Sequence, residues 1–116
     1  MTNRLQPSRQ IADAVTQWPG VEAGPGLYGA LAFKVARKEI GHLHGDTVAH
    51  FVFDHATWLI LKAEGRVGYH PVFPRKIGPA ARAISDDGDV RDVIDMMRIN
   101  YDRIVARAAP DRQTVS

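Results

Sequence analysis

The spacing of hydrophobic positions changes along the chain, and these changes predict an alternation of helices and strands. Residues 8–18 carry apolar side chains at helical spacing, with Ser8 as the expected N-cap and Pro19-Gly20 as the stop. Residues 21–29 are rich in glycine and proline, which predicts a connection without regular structure. Residues 30–36 then alternate between apolar and small or polar side chains, as a half-buried strand does.

Two further strands follow at short intervals. Residues 39–44 form the predicted return strand of a hairpin whose turn is Arg37-Lys38, and Gly45-Asp46 ends that strand because these residues favour turns. Residues 48–53 are apolar and aromatic enough for a third strand, which His50 interrupts. Strands joined by such short turns are expected to be antiparallel neighbours.

The second half of the chain contains two predicted helices around an irregular segment. Asp54 can cap a helix that runs to about residue 64, residues 66–79 contain three prolines, and residues 80–85 form a short possible fourth strand. The last helix has the clearest pattern, because one apolar stripe continues over about four turns. That stripe consists of Val90, Val93, Ile94, Met97, Tyr101, Ile104 and Val105.

The order of elements is therefore αβββαβα. It predicts an α+β fold, a two-layer sandwich in which an antiparallel sheet of three to four strands carries helices on one face. A length of 116 residues is typical of a single domain, so we expect one domain over 1–116, with a core at about 8–107 and a tail at 109–116.

Composition narrows the possible functions. The chain has no cysteine, which excludes disulfides, thiol nucleophiles and cysteine-ligated metals. Fifteen basic and thirteen acidic side chains are scattered, so we expect no nucleic-acid partner. No apolar run approaches the ~20 residues of a membrane span, and no secretion signal is visible, so we expect no membrane partner and a cytoplasmic location. A homodimer is compatible with the sequence.

The segment Gly41-His42-Leu43-His44-Gly45-Asp46 is the feature with most chemical potential. His42 and His44 are two residues apart, so on a strand they project from the same face. A two-residue turn at Arg37-Lys38 would place both rings among Leu31, Phe33, Val35 and Ile40, whereas a three-residue turn would move them to the face of Ala32 and Lys34.

Three interpretations of this pair are open. In the leading one, His42 and His44 are the catalytic residues of a small-molecule pocket, as polar contacts or as the base that deprotonates an acidic phenol or enol. In the second, they bind a divalent metal with Asp46, or with His50 or His70, as the further ligand. In the third, they are structural residues of a non-enzymatic interaction module. Apart from that metal, no cofactor is predicted.

Residues outside the strand pair are candidates for ligand contacts. Asp46 follows the histidines directly, and Tyr69 and His70 lie in the irregular segment, where functional side chains are common. We expect Tyr69, His70 and Arg82 to form secondary walls of the pocket, with Asp46 as a further ligand-binding residue.

Several blocks of the chain resemble the small luciferase-like domain of bacteria and fungi. The most specific is Glu39-Ile40-Gly41-His42-Leu43-His44-Gly45-Asp46, supported by Trp18-Pro19-Gly20-Val21, by Gly29-Ala30-Leu31-Ala32-Phe33 and by Arg98-Ile99-Asn100-Tyr101-Asp102-Arg103. The resemblance extends over about 18–103 and carries over His42, His44 and Asp46 as motif residues. It implies a relation to luciferases of the mushroom type, which oxidise a hydroxylated pyrone with oxygen. The chain departs from the family pattern at 74–79, where a Ser-Gly-Trp segment is replaced by Pro74-Arg75-Lys76-Ile77-Gly78-Pro79.

Overall fold

A computed structural model describes residues 6–108, which form an α+β fold. The expected tail at 109–116 lies outside this range. Within the range there are three helices, six strands and one turn of 3₁₀ helix at Leu27–Gly29. Their bounds are α1 Pro7–Val15, β1 Glu22–Pro25, β2 Leu31–Val35, β3 Lys38–His44, β4 Val48–Val52, α2 His55–Ala63, β5 Gly68–Tyr69, β6 Pro79–Ala83 and α3 Asp87–Ala108.

The strands form one antiparallel sheet in the order β1-β2-β3-β4-β6-β5. The predicted number of three to four strands is too small, because β1 and β5 lie in segments expected to be irregular. Both are short strands at the edges of the sheet, and β1 is mostly exposed. An edge strand without a buried face lacks the alternating pattern by which strands are recognised.

The three helices cover one face of this sheet, as predicted. They contribute to a single buried core, with Ile11 and Val15 from α1, Trp58 from α2 and most of the apolar stripe from α3, of which Val105 is exposed. The Trp58 ring is buried, and its Nε1–H donates to the carbonyl of Pro79 at 3.0 Å, which ties α2 to the start of β6. The opposite face of the sheet is therefore not covered by a helix within residues 6–108.

The observed starts of α1 and α2 can be compared with the N-caps that the sequence predicts. Asp54 caps α2 as expected, since its Oδ1 accepts a hydrogen bond from the Thr57 amide at 2.8 Å. The prediction for α1 is wrong: the N-cap position is Gln6, the helix ends at Val15, and Ser8 lies inside the first turn. Pro7 accounts for the difference, because a proline is favoured at the first position of a helix.

No helix within residues 6–108 combines the length and the apolar character that crossing a membrane requires.

Candidate functional site

The β2–β3 hairpin has a register that differs from the expected one. The two turn residues are Ala36 and Arg37, with φ of 50° and 67°, and Lys38 pairs with Val35 as the first residue of β3. Two consecutive positive φ angles are typical of the tight turns that match the twist of paired strands. The proposed Arg37-Lys38 turn is thus displaced by one residue.

A β-bulge in β3 then reverses the side on which the histidines lie. Lys34 pairs with Glu39 and Phe33 pairs with Gly41, so Ile40 is an extra residue in β3. Ile40 is fully buried in the core, whereas Glu39 and His42 emerge on the face without helices. The sequence allows two faces for the histidines. The structure places them on the face of Ala32 and Lys34, and not on the face of Leu31, Phe33, Val35 and Ile40.

Three imidazole rings meet on this face. His42 and His44 share it as their spacing predicts, and β4 places His50 directly opposite His42. The ring centroids lie 5.0 Å apart for His42 and His44, 5.2 Å for His42 and His50, and 4.9 Å for His44 and His50. His50 is buried, while the other two are half-buried. One nitrogen from each ring lies within 4.8 Å of the others.

A carboxylate orients the first of these rings. Glu39 Oε2 lies 2.8 Å from His42 Nδ1, and a carboxylate can only accept, so Nδ1 carries the hydrogen. In the neutral ring Nε2 is then an acceptor. His50 Nδ1 lies 3.3 Å from that Nε2 and donates to it. The chain of contacts runs from Glu39 through His42 to His50.

His70 closes the cluster from the segment after β5. Its ring centroid lies 4.1 Å from that of His50, and its Nδ1 accepts a hydrogen bond from the Val72 amide at 3.1 Å. Burial, together with the neighbouring His70, His42 and His44 rings, lowers the pKa of His50 to about 4. Burial, followed by His42 and His44, also lowers the pKa of His70. Both rings are therefore neutral at neutral pH.

The histidines form the floor of a cavity of about 450 Å³, a volume typical of sites for small organic molecules. One wall is the turn at residues 27–28, and the opposite wall is the segment 70–73. These walls are mainly apolar, and among residues 6–108 no lysine or arginine lines this cavity. The lining residues are Leu27, Tyr28, Glu39, His42, His44, His50, His70, Pro71, Val72 and Phe73.

The mouth of the cavity exposes apolar side chains. Leu27 is 80% and Tyr28 95% exposed, and Val72 and Phe73 across the opening are also exposed. Tyr28 has a φ of 56°, a left-handed conformation that costs free energy for any residue with a Cβ. Exposed apolar side chains grouped around an opening are characteristic of binding sites.

Asp46 and Tyr69 lie outside the set of residues that lines the cavity. Asp46 Oδ1 accepts a hydrogen bond from the Ser8 amide at 2.9 Å, which fastens the β3–β4 turn to α1, and hydrogen bonding by the Ser8 side chain and amide lowers the pKa of the carboxyl group. The Tyr69 ring packs against that of Trp58 at a tilt of 45°, with centroids 5.1 Å apart, and the Lys62 ammonium lies over the Tyr69 ring. Of the predicted site residues, His42, His44 and His70 come together at the cavity.

Arg82 also lies away from the cavity, in a network of charges between β6 and α3. Its guanidinium donates to Asp89 at 2.6 Å, to Asp92 and to the carbonyl of Arg66 at 3.0 Å. Arg66 in turn donates to Asp92 through Nε at 2.9 Å. This geometry assigns Arg82 to the connection between sheet and helix.

We expect Arg82→Ala to lower the free energy of unfolding by about 1–2 kcal/mol, because Asp89 and Asp92 each lose one charged partner while only 21% of each side chain is exposed. Urea denaturation followed by circular dichroism measures this loss. The matched control is Arg9→Ala, whose ion pair with Asp13 is largely exposed, and a change below about 0.5 kcal/mol is expected there. Equal losses in both variants would contradict the assignment.

The sequence offers His50 only as one of several further metal ligands and does not place Glu39 at the site. The one signal for His50 is that it interrupts an otherwise apolar strand, since its neighbours of the same parity, Val48 and Val52, are themselves apolar. Glu39 has no such signal, because only the bulge places it beside His42. The apolar walls come from two turn segments that lack any periodic pattern.

The flanking blocks of the sequence resemblance contact each other in the fold. Tyr101 donates a hydrogen bond from its hydroxyl to the carbonyl of Pro19 at 2.7 Å, and its ring lies 5.4 Å from that of Trp18. The Arg98 guanidinium lies 5.2 Å from the Trp18 ring centroid. These residues join the end of α3 to the segment after α1, so their contribution is structural.

Comparison with known proteins gives one match. The family model described as Luciferase domain matches residues 37–100, which is more than half of the 116-residue chain. The matched region contains β3 and β4 with the three histidines, as well as His70 and most of α3. No curated protein and no solved structure matches the chain. The chain belongs to the Luciferase domain family.

Proposed function

We propose that this domain binds a small, mainly apolar molecule in the cavity and holds a hydroxyl group of that molecule against the histidine floor. The observation that carries the proposal is the combination of apolar walls with four clustered imidazoles in one cavity of about 450 Å³. Membership of the Luciferase domain family suggests oxygen-dependent oxidation as the reaction class. His42 and His44 provide the polar contacts of this site.

The charge of the cavity favours a neutral ligand with an acidic hydroxyl group. Of the residues that the structure describes, none with a cationic side chain lines it and Glu39 is the one acidic lining residue, so a carboxylate or phosphate group would bury its charge without a partner. A phenol or enol instead donates a hydrogen bond to a neutral imidazole nitrogen. Glu39 keeps His42 in the tautomer whose Nε2 is an acceptor, so the ligand hydroxyl would replace His50 Nδ1 as the donor to this nitrogen.

We expect 4-nitrophenol, a planar phenol, to bind the full-length, tag-free, chelator-treated protein in calorimetric titrations. In the double variant His42→Ala/His44→Ala we expect affinity to fall about tenfold, because two hydrogen-bonding rings are removed from the floor. His55→Ala is the matched control, since His55 is exposed at the start of α2 and does not line the cavity. Thermal melts verify that each variant is folded.

Two outcomes would contradict this proposal. One is absence of 4-nitrophenol binding to the wild-type protein, and the other is unchanged affinity in the folded double variant. A large loss of stability in the double variant, with unchanged binding, would support the alternative of a non-enzymatic module with structural histidines. The ring nitrogens of His42 and His50 bond to side chains that line the cavity, which favours the binding function over the structural alternative.

A further inference from the structure

We propose that His42, His44 and His50 together bind one divalent transition-metal ion at the floor of the cavity. Their ring nitrogens, one from each side chain, lie within 4.8 Å of one another. This metal site extends the proposed function and rests on it in one respect: the hydroxyl oxygen of the bound molecule would coordinate the metal ion.

The spacing of two of these nitrogens already suits a metal ion. A tetrahedral zinc ion lies about 2.0–2.1 Å from each imidazole nitrogen, which holds neighbouring nitrogens about 3.3 Å apart. His42 Nε2 and His50 Nδ1 are 3.3 Å apart. A metal ion would take the place of the hydrogen now shared between them, with His50 carrying its hydrogen on Nε2 instead. Rotation of the half-buried His44 ring then completes the set.

The type of donor limits the type of ion. Imidazole nitrogen suits zinc, iron, cobalt, nickel and copper, whereas calcium and magnesium prefer oxygen ligands. Three protein ligands leave at least one coordination position open, as in catalytic rather than structural metal sites. That open position would face the cavity, since all three histidines line it.

Glu39 has the position of a residue that orients a metal ligand. Its Oε2 accepts from His42 Nδ1 at 2.8 Å, which leaves Nε2 with the lone pair. Metal-binding histidines commonly donate their second nitrogen to a carboxylate in this way, and such partners change metal affinity by about 10–100-fold. Glu39 is therefore a positioning residue for the metal and not a ligand.

The other residues considered as ligands, His70 and Asp46, accept hydrogen bonds from backbone amides. His70 Nδ1 accepts from the Val72 amide at 3.1 Å, so in the neutral ring its hydrogen is on Nε2. Asp46 accepts from the Ser8 amide. Of the three further ligands considered from the sequence, Asp46, His50 and His70, we therefore propose His50 from the neighbouring strand.

A metal ion would also supply the positive charge that the cavity lacks. A hydroxyl group that binds a divalent ion loses its proton more readily, because the cation stabilises the resulting oxyanion. Within the described range 6–108, no arginine or lysine lines the cavity to perform this function. The ion and the apolar walls together would select a molecule with one acidic hydroxyl group on an apolar frame.

The test is a titration of the tag-free, full-length, chelator-treated protein with Co²⁺, followed by calorimetry and by visible absorption of the bound ion. We expect one ion per chain, displaced by Zn²⁺. His44→Ala is expected to weaken binding by at least about a hundredfold and Glu39→Gln by about tenfold, while His55→Ala leaves it unchanged. His44 is half-buried and Glu39 exposed, so both variants are expected to fold.

The result that would overturn the metal site is absence of stoichiometric Co²⁺ binding by the wild-type protein, or equal affinity in His44→Ala. The two proposals fail separately. Binding of 4-nitrophenol by chelator-treated protein without any Co²⁺ binding would leave the proposed function and remove the metal. Binding of Co²⁺ without binding of 4-nitrophenol, by either the chelator-treated or the metal-loaded protein, would leave the metal site and contradict the proposed function. If both hold, the visible phenolate absorption of 4-nitrophenol increases on the metal-loaded protein.

Discussion

Gly41→Val is expected to lower the free energy of unfolding by at least about 2 kcal/mol, because the core has no room for a side chain at this position. A Cβ on Gly41 would lie 3.0 Å from Met97 Cε and 3.1 and 3.2 Å from two ring carbons of Phe51. The end of Met97 can move, but the Phe51 ring is fully buried and stacked on Phe53. Valine adds two further carbons to this contact. Chemical denaturation measures the loss.

The size of the substituent provides an internal comparison. Gly41→Ala is expected to cost about 1 kcal/mol, less than Gly41→Val, since Met97 Cε can move away from its single added carbon and a shift of a few tenths of an ångström relieves the contact with the Phe51 ring. Gly24→Val is the matched control: Gly24 is in β1 of the same sheet, and a Cβ there meets no atom within 4 Å. A tolerated Gly41→Val would show that β3 and α3 pack less closely than described.

Asn100→Leu is expected to lower the free energy of unfolding by about 2–4 kcal/mol. Asn100 is fully buried in α3, and its Nδ2 donates to the carbonyls of Ile40 and Val52, both at 3.1 Å. Its Oδ1 accepts from Arg103 at 3.0 Å. Leucine has a similar volume, so the variant creates little empty space, but each carbonyl left without a donor costs about 1–3 kcal/mol.

The same substitution is expected to disturb the histidine site. Ile40 is the extra residue of the β3 bulge, and Asn100 holds its carbonyl from across the core. Amide NMR shifts of Glu39 and His42 are therefore expected to change more than those of exposed residues in α3. Asp95→Leu, an exposed position in the same helix, is the control and is expected to change stability by less than about 0.5 kcal/mol. Unchanged stability in Asn100→Leu would contradict this role.

These two positions explain much of the motif Gly41-His42-Leu43-His44-Gly45. Gly41 allows β3 to approach Phe51 and Met97, and Leu43 is buried in the core. His42 and His44 point to the opposite face, where they meet His50. Gly45 has a φ of 62°, which suits the turn into β4. The motif thus combines two packing positions, Gly41 and Leu43, and one turn position, Gly45, with two residues of the candidate site.

The elements that the sequence predicted well are those with a strong local pattern. The stripe of α3, the cap at Asp54 and the turn at Gly45-Asp46 all depend on residues within a few positions of one another. The edge strands β1 and β5 were missed because most of their residues are not buried and so lack a periodic pattern. The luciferase-like resemblance rested on consecutive residues, and the family match over 37–100 confirms it.

The sequence by itself determined that His42 and His44 share one face, because the alternation of side chains along a strand is a local property. Only the tertiary structure decided which face that is. The bulge at Ile40 reverses the expected orientation, and the side chain that holds the Ile40 carbonyl comes from Asn100, 60 residues away. The partners of the pair, Glu39 and His50, likewise depend on register and strand pairing. Such long-range contacts follow from the packing of the whole core, which no short segment encodes.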